Sequence, residues 1–169
     1  MPKSIKLYVR AVDRMNYLVG RATMYVIFVM IGVLFYSSVS KTFFIPALWT
    51  LEIAQFLMVA YFLLGGAYSI QLDGHVRMDL LYGSLPARTR NKWDTVTTLV
   101  MIGYLLVLLY GSISSLEYAL QYNERSYSSW RPYMWPIKIV MLVGIILMLL
   151  QAIAQFFKDL AAARGESLS

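Results

Sequence analysis

The sequence predicts an all-α membrane protein with four transmembrane helices and short interfacial amphipathic helices. Of its 169 residues, 59% are hydrophobic and 14% are charged, and the mean hydropathy of +0.60 exceeds that of soluble domains. Four stretches of 19 to 22 residues contain no Asp, Glu, Lys, Arg or His: 22–40, 53–72, 95–116 and 139–157. Since about 20 helical residues cross a hydrocarbon core of roughly 30 Å, each stretch is predicted to be one span.

The spans leave room for a single transmembrane domain over residues 1–169 and for no soluble domain. The arm before span one is long and charged and lacks a small-residue cleavage site, so we expect a retained span and not a signal peptide. Within residues 1–17, apolar side chains alternate with basic ones: Ile5, Leu7, Val9, Val12 and Met15. This pattern predicts a short helix lying on the inner leaflet.

The distribution of basic residues predicts the orientation. Eleven of the fifteen Lys and Arg residues precede span one, lie between spans two and three, or follow span four, and four lie on the opposite side. By the positive-inside rule, both termini and the connection 73–94 are cytoplasmic. The net charge of +6 is therefore explained by topology and by contact with anionic lipids, and we expect no nucleic-acid partner.

The composition also limits the chemistry. There is no cysteine, which excludes disulfides, thiolate catalysis and cysteine-held iron–sulfur clusters. The single histidine, His75, cannot supply both ligands of a bis-histidine haem, which disfavours a membrane anchor of a respiratory enzyme. We expect no cofactor, no metal site and no enzymatic activity.

The connection 73–94 is the most polar internal segment. His75 could act as a general base beside Asp73 or Asp79, but an interfacial loop offers neither a nucleophile nor a substrate pocket. Four apolar residues at helical spacing predict an amphipathic helix instead: Met78, Leu81, Tyr82 and Leu85. A basic turn is expected to lead into span three, at Arg88, Arg90 and Lys92.

The spans contain no ionisable residue and no proline, and their glutamines lie toward the ends. Transporters normally carry such groups at a midplane binding site, so this pattern favours an accessory subunit. The alternative is a stand-alone homo-oligomeric channel or exporter, which would need a polar face on one span. Small residues such as Gly65, Gly66, Gly103 and Gly111 make spans two and three the predicted sites of close helix contact.

Charged residues also stand at the outer ends of spans two to four: Glu52, Glu117, Glu124 and Lys138. One interpretation is interfacial solvation together with helix-end electrostatics. The other is an ionic contact between helices or with a partner subunit. The sequence leaves both open.

Several motifs, in order, resemble one known family. Trp49-Thr50-Leu51-Glu52 opens span two, Leu64-Gly65-Gly66-Ala67 lies in its inner half, and GHVRMDLLYGSLP occupies 74–86. Arg88, Arg90 and Asp94 follow, then Trp135-Pro136-Ile137-Lys138, Gly144 and Leu150-Gln151. Together they resemble the DctQ-type small membrane subunit of tripartite ATP-independent periplasmic (TRAP) transporters over nearly the whole chain.

The resemblance implies a secondary transport system of the bacterial inner membrane. A periplasmic binding protein would capture an organic acid, and a large membrane subunit would carry it inward with a sodium gradient. This chain would be the scaffold subunit packed against the large one. Its implied contacts with subunits and membrane lipids are Glu52, His75, Arg77, Asp79, Trp135 and Lys138.

Overall fold

The computed structural model describes residues 3–72 and 87–163, and these form five helices. The helices are α1 (Lys3–Met24), α2 (Val26–Phe43), α3 (Thr50–Gln71), α4 (Ala87–Gln121) and α5 (Trp135–Ala163). Four helical stretches are long and apolar enough to cross a membrane, and the first of them consists of α1 and α2 together. The predicted class, an all-α protein with four spans, is confirmed.

The helices extend beyond the predicted spans, most clearly in α4. Residues 87–94 of the predicted connection 73–94 form the first two turns of α4, so the basic turn expected at Arg88, Arg90 and Lys92 is wrong. Arginine and lysine have good helix propensity. The charged residues at 88–92 therefore end the apolar stretch of the sequence, but the helix continues through them. Residues 73–86, with His75, Arg77, Asp79 and the predicted amphipathic face, lie outside the described residues.

The N-terminal arm forms the amphipathic helix α1, which is longer than predicted and passes into α2 through Tyr25. Tyr25 keeps right-handed helical angles (φ −74°, ψ −19°), and its N–H donates to the Ala22 carbonyl at 3.1 Å. The apolar face of α1 is covered by protein instead of lipid, because Val9 and Val12 are buried together with Ala154 of α5. Span one and the arm are therefore nearly one continuous helix.

The spans are arranged as a row with α5 in its middle. α5 packs against α3 on one side and α4 on the other, and α2 packs against α3. α1 contacts α3 and α5, whereas α4 has extensive contact only with α5 among the described helices. The order across the row is thus α2, α3, α5 and α4. We call the end with the connections 44–49 and 122–134 the outer end, following the predicted orientation, and the opposite end the inner end.

Close helix approach occurs between α3 and α5. A Cβ atom at Gly144 would lie 2.8 Å from the Leu63 Cβ and 3.0 Å from the Leu63 carbonyl carbon, and one at Gly66 would lie 2.7 Å from the Met148 sulfur. At Gly144 only glycine permits the approach, because the close atoms include the Leu63 backbone, whereas the flexible Met148 side chain could move away from a larger residue at position 66. Close contact is confirmed for both spans, since α3 and α4 each pack extensively against α5. The glycines of span three do not make this contact, because Cβ atoms at Gly103 and Gly111 would meet no described atom within 4 Å.

Candidate functional site

The outer end holds a cluster centred on Glu52 in the first turn of α3. This side chain is 7% exposed, and its Oε1 accepts a hydrogen bond from the Ser126 hydroxyl at 3.1 Å. Its Oε2 is buried and has no hydrogen-bond partner among the described residues. The negative charge of Glu52 is favoured by the helix dipole at the N-terminus of α3. Its hydrogen bond with Ser126 attaches the connection 122–134 to α3.

Lys138 occupies the first turns of α5, where it joins three segments. Its ammonium group forms an ion pair with the Glu124 carboxylate and donates to the Ser115 carbonyl of α4 at 3.2 Å. Trp135, one turn earlier, is 40% exposed. The ionic contact that the sequence left open is therefore made within the chain, between α5, α4 and the connection 122–134.

The connection 122–134 folds back on itself in an ordered hairpin-like loop. The Ser126 N–H donates to the Pro132 carbonyl and the Met134 N–H to the Glu124 carbonyl, each at 3.0 Å. The Arg125 guanidinium lies 4.3 Å from the centroid of the Tyr133 ring, within the range of cation–π attraction. These contacts give the outer end a defined surface.

The inner end holds a second network, between α1 and α5. Gln151 is fully buried and Asn16 is 1% exposed. The Asn16 Nδ2 donates to Gln151 Oε1 at 2.7 Å, and the Gln151 Nε2 donates to Asp13 Oδ1 at 2.9 Å. The Lys158 ammonium nitrogen lies 2.7 Å from Asp13 Oδ2. The network secures the N-terminal arm to the central helix through hydrogen bonds between buried polar groups, and only Asn16 Oδ1 of this network is buried without a partner among the described residues.

A third contact connects α5 to α4 at the same end. The Thr98 hydroxyl donates to Asp159 Oδ2 at 3.0 Å, and the Gln155 Nε2 donates to Asp159 Oδ1 at 3.0 Å. Thr98 is buried, although it lies near the start of the exposed helix α4. Polar side chains thus fix α1 and α4 against α5 at the inner end.

The structure places Glu52, Trp135 and Lys138 at the outer end and does not describe the other three predicted contact residues, His75, Arg77 and Asp79. The sequence analysis placed Gln151 in a family motif of span four, but it predicted no contact for Gln151 and did not single out Asp13 or Asn16. One signal was available, because Val9, Val12 and Asn16 share a helical face and a polar residue interrupts that apolar stripe. In the described part of the chain, no three His, Asp or Glu side chains lie close enough to hold a metal ion.

The described helices form four candidate membrane spans with polar contacts at both ends. Residues 13–162 match a family model described as tripartite ATP-independent periplasmic transporters, DctQ component. No curated protein matches the chain at a significant level. The match covers most of the 169 residues and includes the central helix and both polar ends. The chain therefore belongs to the DctQ family, the small membrane component of TRAP transporters.

Proposed function

We propose that this chain is the scaffold subunit of a TRAP-type secondary transporter in the bacterial inner membrane. With a large membrane subunit and a periplasmic binding protein, it would import an organic acid on a sodium gradient. Both termini would be cytoplasmic, as the distribution of basic residues predicts. The substrate and sodium sites would then belong to the other subunits, and this chain would provide a rigid support.

The observation that supports this proposal is the apolar middle of the central helix α5. Between Lys138 and Gln151, all twelve residues of α5 are apolar or glycine, a separation of about 20 Å along the helix. Because α5 is the helix enclosed by the others, it is where a transport site would have to find polar ligands. Its polar contacts lie at the two ends and serve to fix α1, α4 and the outer loop.

The edges of the row supply the surface for assembly. α4 exposes Val100, Val107 and Tyr110 to 68%, 70% and 79%, and α2 exposes Phe35 to 72%. In a membrane such side chains face lipid or a partner helix, and either is compatible with a scaffold that extends a larger subunit. The ordered loop 122–134 would offer the binding protein a defined docking surface.

Affinity purification of the tagged chain from its native membrane in mild detergent, followed by mass spectrometry, tests the proposal. We expect a large multi-span subunit at about a 1:1 ratio, since a scaffold must bind what it supports. Recovery of the chain alone as a defined homo-oligomer would contradict the scaffold role and favour a stand-alone channel.

We further propose Glu52, His75, Arg77, Asp79, Trp135 and Lys138 as contact residues for subunits or lipid. Charge reversal at Arg77 or Asp79 should lower the recovery of the large subunit and the transport rate without changing substrate preference. The measurement is competitive uptake of labelled organic acids, with Lys41→Glu, at an exposed position on α2, as the matched control. A changed preference would place these residues at a substrate site instead.

A further inference from the structure

A groove runs along the seam between α1 and α3. It consists of two adjacent cavities of about 620 and 590 Å³ that share Met24, Tyr61 and Tyr68 as lining residues. Both cavities are within the size range of small-molecule sites. Neither polar end network described above contributes to the lining.

One part of the groove is apolar and unfilled. Phe62, Leu72 and Met148 line it together with Gly65 and Gly66. Among the described atoms, a Cβ atom at Gly65 would have only the Thr23 methyl group within 4 Å, at 3.9 Å. The lack of a side chain at Gly65 therefore leaves space in the groove that the contact between α1 and α3 does not use.

The other part of the groove is aromatic and cationic. Arg21, Tyr17 and Tyr25 line it, and the Arg21 guanidinium donates to the Tyr17 hydroxyl at 3.1 Å. Arg21 is the only charged residue among the described residues that line either cavity. It directly precedes predicted span one, and at such a boundary lipid headgroups meet the hydrocarbon core and tyrosine is favoured.

We propose that this groove binds one anionic diacyl phospholipid, with its phosphate at Arg21 and an acyl chain against Met24, Tyr61 and Phe62. Arginine is well suited to bind phosphate because it offers several donors in one plane. The Tyr17 hydroxyl accepts from Arg21 and keeps its own hydrogen for a phosphate oxygen. The scaffold role is not needed for this site, and the predicted orientation decides only which leaflet supplies the lipid.

The lining favours a phospholipid over a helix of a partner protein. The Arg21 guanidinium at one end calls for an anionic group, and the rest of the described lining is apolar, aromatic or glycine apart from Thr23 and Ser69. A charged headgroup joined to an acyl chain matches this layout.

Native mass spectrometry of the purified full chain tests the site. The chain in mild detergent is titrated with phosphatidylglycerol or with phosphatidylcholine of the same acyl chains. We expect one phosphatidylglycerol to bind about tenfold more tightly than phosphatidylcholine. Both lipids offer a phosphate to Arg21, but the choline ammonium of phosphatidylcholine cancels the negative charge of its headgroup and repels the guanidinium, and a tenfold difference corresponds to about 1.4 kcal/mol. Arg21→Gln should abolish the preference, and Gly65→Leu should weaken binding of both lipids by filling the groove.

Two variants serve as controls. Lys41→Gln removes an exposed charge at the other end of span one, and Gly32→Leu adds the same side chain where a Cβ meets no described atom within 4 Å. Both should bind lipid as the wild type does, and far-UV circular dichroism checks that every variant is folded. Arg21 is exposed, so Arg21→Gln keeps the proposal testable if Gly65→Leu fails to fold.

The proposal is overturned if the wild type binds both lipids equally, or if Arg21→Gln retains the full preference. The control variants can also overturn the proposal. If Lys41→Gln lost the lipid preference as Arg21→Gln does, or if Gly32→Leu weakened lipid binding as much as Gly65→Leu, the lipid would be bound unspecifically in the detergent shell. Loss of the lipid when the large subunit is co-expressed would identify a protein segment as the occupant.

Discussion

The two longest apolar helices, α5 and α4, differ in how much of each is buried. In their most apolar stretches, 39% of the residues are buried in α5 but only 17% in α4. α5 lies between α3 and α4, whereas α4 has an extensive neighbour on one side only. Both helices contain glycine, but the two positions differ. A Cβ atom at Gly144 of α5 would lie 2.8 Å from the Leu63 Cβ, whereas one at Gly111 of α4 would have no described atom within 4 Å. Apolarity and small residues alone do not tell a central helix from an edge helix.

The difference shows what holds this protein together in lipid. Apolar side chains are as well solvated by lipid tails as by each other, so close packing and polar contacts decide which helices associate. α5 has both, at Gly144 and at Gln151, and α4 joins it through Thr98 and the carbonyl of Ser115. The exposed remainder of α4 is available for lipid or a partner.

The largest expected effect comes from comparing the two glycines. Gly144→Leu should lower the free energy of unfolding by about 2–3 kcal/mol, because the new side chain would overlap the Leu63 backbone. Gly111→Leu should change it by less than about 0.5 kcal/mol. Titration with sodium dodecyl sulfate, followed by circular dichroism, measures both. Equal destabilisation would mean that α4 has a neighbour that this chain alone does not reveal.

A smaller loss is expected from the inner network. Gln151→Leu should cost about 1–3 kcal/mol because Asn16 and Asp13 lose a buried partner. Gln121→Leu, at an exposed position of α4, is the matched control and should have almost no effect. Combining Gln151→Leu with Asn16→Leu should cost less than the sum of the single changes, and strict additivity would argue against the hydrogen bond.

The smallest effect distinguishes neighbouring threonines. Thr98→Val should cost about 1 kcal/mol through loss of the hydrogen bond to Asp159. Thr97→Val, one residue earlier and exposed, should leave the unfolding midpoint within error. The same detergent titration applies, and a larger loss at Thr97 would contradict the placement of α4 against α5.

The sequence was sufficient to predict four membrane-spanning helices and the close helix contacts of spans two and three. It was insufficient to predict which residues the polar side chains contact. Glu52 and Lys138 were identified as charged helix ends, but their partners Ser126, Ser115 and Glu124 could not be chosen among several candidates. The helix α4 begins at Ala87, within the predicted connection 73–94, because an apolar window ends at the first charges whereas a helix can continue through them.

The sequence by itself determined that this protein crosses a membrane with four helices. The bilayer fixes the length of a span and requires every backbone hydrogen bond to be made within it, so apolar length is nearly sufficient evidence. Only the tertiary structure decided that α5 is central and that Gln151 meets Asp13, a residue 138 positions away. Lipid does not distinguish one apolar helix from another, and only the packed helices determine which polar groups share a buried space.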